Sequence, residues 1–94
     1  MDAADWRPHA SRAALERRAA LTGTLRTFLR DRGVLEVQTP VLGGVASVEP
    51  TLVSLAVSGA GGARYLRTSP ESALKRLLAA GSGDVFEIGP VFRE

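Results

Sequence analysis

Two positions in the second half of the chain carry side chains suited to chemistry. One is Glu71, which ends the run Thr68-Ser69-Pro70-Glu71, and the other is Arg93. A carboxylate such as that of Glu71 can pair with a ligand's ammonium group, since charge-assisted hydrogen bonds are about twice as strong as neutral ones. A guanidinium such as that of Arg93 can stabilise negative charge on a phosphate. Together these side chains suit a site that holds an amine and a phosphate.

Both residues also have an ordinary structural interpretation. Glu71 lies at the start of a predicted helix, where a carboxylate complements the helix dipole for about 0.3–1 kcal/mol without binding a ligand. Arg93 is next to the last residue, and an arginine near a terminus is commonly a solvated charge. The residue types alone therefore leave a binding role and a purely structural role open at both positions.

The element that must position Glu71 is a helix with three start signals. Ser69 offers a capping hydroxyl, Pro70 suits the first helical position, and the Glu71 carboxylate lies near the positive end of the dipole. We expect this helix to run to about Ala80 and to end at Gly81. Its buried face is predicted to consist of Leu74, Leu77 and Leu78.

A longer helix is predicted from about Ser11 to Arg32, with Ser11 as its N-cap and Gly33 as its stop. Apolar side chains recur at helical spacing and predict a buried stripe, formed by Leu21, Leu25, Phe28 and Leu29. Gly23 weakens the helix interior by about 1 kcal/mol relative to alanine. We therefore expect another element to pack closely against the helix at Gly23.

The remaining segments predict short strands. Alternating apolar residues indicate strands at 34–38, 51–57, 64–67 and 84–88. Residues 51–57 and 64–67 are predicted to form an antiparallel hairpin around a turn at 58–62, whereas 41–50 is predicted to be an irregular connection. Two helices and a hairpin predict an α+β fold rather than a wound parallel sheet.

Composition excludes several classes of protein. The 94 residues are 45% apolar, which is enough for one small core. Cysteine is absent, which excludes disulfides and cysteine zinc sites and favours a reducing, cytoplasmic compartment. No segment predicts a signal peptide or a membrane span. The net charge is +2, and the arginines crowded in the first third indicate a solvated helix face more than a nucleic-acid surface, because no aromatic residues interleave with them.

Two segments resemble the signature motifs of one enzyme family. Residues 32–40, RGVLEVQTP, resemble motif 1 of the class II aminoacyl-tRNA synthetases, and residues 85–93, VFEIGPVFR, resemble the first strand of their motif 2. The resemblance spans about residues 12–94. It implies an N-terminal tail at 1–10 and, at 11–94, the N-terminal part of a class II catalytic domain, with an antiparallel sheet flanked by helices.

Residues 68–71, TSPE, and 74–83, LKRLLAAGSG, resemble the lysine-type branch of that family. Within the branch they are most similar to the paralogue that attaches (R)-β-lysine to elongation factor P. The aspartyl and asparaginyl branches share the FEIGPVFR motif. Where this chain has the glutamate of Ser-Pro-Glu, however, they have glutamine, which cannot offer a negative charge to an ammonium group. A lysyl-tRNA synthetase remains the alternative, and the residues do not distinguish α-lysine from β-lysine.

The resemblance implies roles for single residues. Ser69, Pro70 and Glu71 would bind the substrate amino acid, and Arg93 would be catalytic, holding the α-phosphate of ATP while the substrate carboxylate attacks it. Glu94 would line the ATP site. The family also implies Mg²⁺ as a cofactor and no metal held by this chain's own residues. A homodimer interface would include Leu35, Val37 and Pro40.

The chain's extent leads to further expectations. Only about ten residues precede the first predicted helix, so with Met1 as the start we expect no anticodon-binding domain and prefer elongation factor P to tRNA as the acceptor. Motif 3 and the rest of motif 2 are not in these 94 residues, so we expect the chain alone to lack ligase activity. A non-catalytic dimerisation remnant is the alternative of another class.

Overall fold

The computed structural model describes residues 5–47, 53–59 and 61–94. The described elements, in chain order, are α1 (Arg12–Asp31), β1 (Leu35–Glu36), β2 (Leu42–Gly43), β3 (Ala56–Val57), β4 (Arg64–Leu66), α2 (Glu71–Ala79) and β5 (Val85–Phe86). The helices are long relative to the strands, and all the described strands are two or three residues in length.

Helix α1 has the ends that its sequence predicts. The Ser11 hydroxyl accepts a hydrogen bond from the backbone N–H of Ala14 at 3.1 Å, which is an N-cap. At the other end Gly33 has a φ of +79°, a conformation that favours glycine. The Val34 N–H donates to the Leu29 carbonyl at 3.0 Å and closes the last turn.

The predicted buried stripe of α1 is wrong. Leu21, Leu25 and Phe28 are 62%, 45% and 50% exposed, and no residue of the helix is buried. The expectation of close packing at Gly23 is also wrong, because no atom of another described element would lie within 4 Å of a Cβ at this position. Leu29, the fourth residue of the predicted stripe, is partly covered, whereas the described elements leave the other three exposed.

Strands β2, β4 and β3 form an antiparallel sheet in that order. Its hairpin confirms the prediction, with Ala56 opposite Tyr65 and Val57 opposite Arg64. Strand β2 lies where an irregular connection was predicted, and that prediction is wrong at these two residues, since Leu42 pairs with Leu66. Residues 48–52, which held the rest of the predicted connection and the start of the predicted strand, lie outside the described residues.

Strands β1 and β5 form a separate parallel pair, in which Leu35 lies opposite Val85 and Glu36 opposite Phe86. Two helices with these small sheets are consistent with the predicted α+β class. The finer expectation of one antiparallel sheet flanked by helices is not confirmed, because the described strands divide between an antiparallel and a parallel set.

Helix α2 begins at Glu71, one residue later than predicted, with Pro70 at the N-cap position. The Ser69 hydroxyl nevertheless accepts from the Glu71 N–H at 3.0 Å, so it satisfies one of the free donors of the first turn. The predicted stop at Gly81 is confirmed by its φ of +90°. The Ser82 N–H closes the end of the helix on the Leu77 carbonyl at 3.0 Å.

The described residues form no apolar core, since none of them is buried as a whole. The accessible surface is 7694 Å², whereas a folded monomer of 9.9 kDa exposes about 5,200 Å². The radius of gyration is 17.2 Å, against about 12 Å for a compact chain of this length. Among the ion pairs of the described residues, the least exposed is that of Arg67 and Glu87, whose side chains are 8% and 3% exposed.

None of the helices in the described part of the chain combines the length and the apolar character that crossing a membrane requires.

Candidate functional site

Arg93 lies at an open hollow of about 350 Å³ that is lined by Thr68, Val91, Phe92 and Arg93. Backbone hydrogen bonds hold the last residues in place. The Phe92 N–H donates to the Arg67 carbonyl at 2.9 Å, and the Glu94 N–H donates to the Val53 carbonyl at 3.0 Å. The hollow therefore brings the predicted phosphate-binding arginine next to Thr68, the residue that begins the Thr-Ser-Pro-Glu run.

The guanidinium of Arg93 is exposed and has no ion-pair partner among residues 5–47, 53–59 and 61–94. Glu94 is also exposed. A free, exposed guanidinium beside a hollow can receive a phosphate oxygen without first losing another partner. The structure thus places Arg93 where its predicted role requires access, and the role itself stays a prediction.

Glu71 is exposed at the N-terminus of α2 and pairs with Lys75 one turn later. The Lys75 Nζ lies 2.8 Å from a Glu71 carboxylate oxygen, and the side chains are 71% and 69% exposed. The hydrogen bond from Lys75 and its positive charge lower the pKa of Glu71. The carboxylate is ionised at neutral pH and already binds an ammonium group, which is the interaction predicted for it with a ligand.

Ser69 and Pro70 have structural roles in the described contacts. The Ser69 hydroxyl is occupied by the Glu71 N–H, and the Pro70 carbonyl accepts from the Leu74 N–H at 3.0 Å. Both residues shape the start of α2 and so aim Glu71. Their predicted contact with substrate stays a prediction.

The residues predicted for a dimer interface lie around β1. Leu35 is 60% exposed, Val37 is partly covered and Pro40 is exposed. Their strand is held by the N–H of Leu35, which donates to the Asp84 carbonyl at 3.0 Å, and by the N–H of Val37, which donates to the Phe86 carbonyl at 2.9 Å. The side chains leave an apolar surface open, and the dimer stays a prediction.

Sequence reasoning assigned no role to Arg67, Glu87 or Thr39, which the fold brings together. The Arg67 Nη1 donates to Glu87 at 2.7 Å and to the Thr39 hydroxyl at 2.9 Å. Glu87 accepts from the Thr39 hydroxyl at 2.5 Å and from the Thr39 N–H at 3.2 Å. We call these three residues the clamp cluster. Charged residues within predicted strands were the signal in the sequence, but it does not identify their partners.

Two further contacts surround the clamp cluster. The Arg67 Nε donates to the Pro90 carbonyl at 2.9 Å. The second terminal nitrogen, Nη2, is buried and has no hydrogen-bond partner among the described residues. A Cβ added at Gly89 would lie 2.6 Å from that nitrogen, so only glycine leaves room for the guanidinium.

Burial raises the pKa of Glu87, but the hydrogen bonds from Thr39 and Arg67 and the charge of Arg67 outweigh it, so the pKa lies below its ordinary value. Glu87 is therefore an anion at neutral pH although its side chain is 3% exposed. The buried negative charge is balanced by the guanidinium beside it.

The residues described by the structure contain no group of three or more His, Asp or Glu side chains arranged to hold a metal ion. The donor set at the hollow is one arginine with one neighbouring glutamate. These side chains fit a phosphate and do not provide a set of Mg²⁺ ligands.

Comparison with known proteins gives two results. A family model for the class II tRNA synthetases of types D, K and N matches residues 2–94. Among curated proteins, the chain is 44% identical to an elongation factor P–(R)-β-lysine ligase from Photorhabdus laumondii and 45% identical to one from Sodalis glossinidius. Each match covers 98% of this chain and 30% of the relative. The matches confirm the resemblance found in motifs 1 and 2.

Proposed function

The chain belongs to the class II tRNA synthetases of the D, K and N type, and on that premise we propose that it forms the amine-binding and first phosphate-binding part of an ATP-dependent ligase. The ligase would activate lysine or (R)-β-lysine as an acyl-adenylate and transfer the acyl group to a lysine of elongation factor P. The chain spans 30% of the length of the relatives it matches, and those relatives are named as elongation factor P–(R)-β-lysine ligases.

One observation carries the proposal: Arg93 and Thr68 line the same hollow, and the Thr-Ser-Pro-Glu run leads from Thr68 into α2. The carboxylate proposed to bind the ammonium group, that of Glu71, follows Thr68 by three residues, and the guanidinium proposed to bind phosphate, that of Arg93, lines the hollow with Thr68. Adenylate formation needs both, since the amino acid must be held while its carboxylate approaches the α-phosphate.

In this proposal Glu71 exchanges its Lys75 partner for the substrate ammonium. The exchange is favourable where the ligand pocket is drier than the exposed Lys75 pair, because an ion pair strengthens as water is excluded. Arg93 then holds a non-bridging oxygen of the α-phosphate and stabilises the negative charge on these oxygens, while the substrate carboxylate bonds to the α-phosphorus and pyrophosphate leaves. Glu94 lines the ATP site beside it.

The rest of the proposal concerns the whole protein. ATP is the proposed nucleotide, Mg²⁺ would accompany it, and we assign no Mg²⁺ ligand to this chain. Elongation factor P is the proposed acceptor, and a homodimer through Leu35, Val37 and Pro40 is proposed from their open apolar surface. The absence of cysteine fits a cytoplasmic location.

The test is a hybrid ligase in which this chain replaces the matching part of the Photorhabdus laumondii relative. We expect ATP–pyrophosphate exchange that depends on lysine or (R)-β-lysine. Glu71→Gln should lower kcat/KM for the amino acid at least about tenfold, since hydrogen bonds to charged groups contribute about 1.5–3 kcal/mol.

Glu16→Gln is the matched control, because Glu16 also forms an exposed pair one turn away on a helix, with Arg12 at 2.8 Å. It should leave exchange unchanged. A hybrid without amino-acid-dependent exchange would contradict the proposed function. Equal exchange in the Glu71→Gln and Glu16→Gln hybrids would contradict the assignment of Glu71.

A second candidate is a dimerisation module without chemistry, which the exposed apolar side chains of Leu25, Phe28 and Leu35 favour. Sedimentation equilibrium of the 94-residue chain tests it. A folded dimer that dissociates on dilution supports the module, whereas a folded monomer at all concentrations contradicts it.

A further inference from the structure

Arg67 contacts the segment before Arg93 with both its backbone and its side chain. Its carbonyl accepts from the Phe92 N–H at 2.9 Å, and its Nε donates to the Pro90 carbonyl at 2.9 Å. One residue therefore holds Pro90 and Phe92, which stand just ahead of Arg93 in the chain. Neighbouring Thr68 lines the hollow together with Arg93.

The guanidinium of Arg67 is itself fixed from the opposite side. Its Nη1 donates to Glu87 at 2.7 Å and to the Thr39 hydroxyl at 2.9 Å. The arginine side chain is 8% exposed, and that of Glu87 is 3% exposed. A charged side chain that is enclosed and bonded on two sides has one orientation, so it can transmit that orientation to the Pro90 carbonyl.

We propose that Arg67 is a positioning residue: through Pro90 and Phe92 it sets where Arg93 stands relative to Thr68 and Glu71. This inference rests on the proposed function for its catalytic consequence. Its structural part, that Arg67 holds the segment before Arg93, does not depend on any activity.

The geometry explains why an arginine is needed at this position. The planar fork donates to Pro90 from Nε and to Glu87 and Thr39 from Nη1, whereas a lysine offers a single charged nitrogen. Arg67→Lys therefore retains the charge opposite Glu87 and loses the simultaneous contact with Pro90. The substitution separates neutralisation of the buried carboxylate from positioning of the segment.

The first experiment is amide hydrogen exchange in the 94-residue chain. Arg67→Lys should speed exchange of the Phe92 N–H about tenfold or more, the effect of losing a hydrogen bond to a charged group. Exchange of the Val37 N–H, which bonds to the Phe86 carbonyl in the β1–β5 pair, should not change. Arg26→Lys, at the exposed arginine–glutamate pair, is the matched control and should change exchange of neither the Phe92 N–H nor the Val37 N–H.

The second experiment uses the hybrid ligase with kcat expressed per active site, counted from the burst of pyrophosphate. Arg67→Lys should lower kcat about 100-fold, because a misplacement of about 1 Å in a catalytic group has that effect. KM for the amino acid should stay as in the wild-type hybrid, since Glu71 lies outside the contacts that are lost. A purely structural role would reduce the number of active sites and leave kcat per site unchanged.

The outcomes separate the two proposals. Unchanged Phe92 exchange, or equal acceleration at Phe92 and Val37, overturns the positioning role. The positioning role is also overturned if the wild-type hybrid is active and the Arg67→Lys hybrid has the same kcat per active site. A wild-type hybrid without exchange activity contradicts the proposed function, and the hydrogen-exchange result then decides the positioning role by itself.

Discussion

Two arginine–glutamate pairs each join separate parts of the chain, but they differ in exposure. Arg26 in α1 reaches Glu36 in β1 at 2.9 Å, with side chains 49% and 37% exposed. Arg67 reaches Glu87 at 2.7 Å, with side chains 8% and 3% exposed. Water surrounds the first pair and has little access to the second. We therefore expect the first pair to contribute little to stability and the loss of one partner of the second to be costly.

The difference shows where this chain concentrates its specificity. The α1 region has no buried residue, and its apolar side chains face outward. The clamp cluster of Thr39, Arg67 and Glu87 is polar and enclosed, and it joins the two family motifs to the strand that precedes the Thr-Ser-Pro-Glu run. The residues close to the candidate site are thus held by directional polar contacts rather than by a general apolar core.

Arg67→Met should have the largest effect on stability. It leaves the Glu87 carboxylate enclosed without a counter-charge, and breaking a buried pair in this way costs about 3–5 kcal/mol. The free energy of unfolding from urea titration measures the loss. A change below 1 kcal/mol would mean that Glu87 is solvated in the folded chain, and the contrast between the two pairs would fail.

Gly89→Ala should follow. The new methyl carbon would lie 2.6 Å from the Arg67 Nη2, so either the guanidinium or the backbone at 89 must move. Overpacking of this kind costs about 1–3 kcal/mol. Gly44→Ala is the control, because a Cβ there would meet no atom of the described residues within 4 Å. Equal urea midpoints for the two variants would contradict the close approach of Nη2 to Gly89.

Acid should weaken the clamp cluster. The pKa of Glu87 is lowered from 4.5 by its hydrogen bonds in the folded state, so the unfolded chain takes up the proton first as the pH falls. The stability that the ionised Glu87 contributes is present above pH 4.5. It is lost as the pH falls through the lower pKa that Glu87 has in the folded chain.

Unfolding free energies measured across that range check the acid effect. Glu87→Gln should remove most of the slope, whereas Glu71→Gln, at an exposed pair, should leave it largely intact. A slope that survives in Glu87→Gln would assign the acid effect to other carboxylates.

Arg26→Met should have the smallest effect. Exposed ion pairs contribute about 0.2–1 kcal/mol, and added salt should remove even that contribution. If Arg26→Met lowered the free energy of unfolding as much as Arg67→Met does, and independently of salt, the Arg26–Glu36 pair would be as important for stability as the clamp cluster. Urea titrations at low and high salt measure both quantities.

Local signals in the sequence predicted much of the fold correctly. The cap at Ser11 and the stops at Gly33 and Gly81 each depend on residues within one turn, so their prediction required no knowledge of distant contacts. The hairpin of β3 and β4 was also predicted, because its strands are close in sequence. The start of α2 was displaced by one residue, within the usual variation of helix ends.

The predictions that failed depended on partners that periodicity does not identify. The stripe of Leu21, Leu25 and Phe28 has the spacing of a buried face, but burial requires an element to pack against it, and the described residues supply none. Strand β2 was missed because its pairing with β4 compensates for a weak local propensity.

The sequence by itself determined the helix ends, the hairpin and the two motifs that reveal the family, since all of these are read from neighbouring residues. Only the tertiary structure joined Thr39, Arg67 and Glu87, which are 20 to 48 positions apart along the chain. It also paired β1 with β5 in parallel and placed Thr68 beside Arg93. Contacts between such distant positions arise from chain topology, which residue types and spacing do not specify.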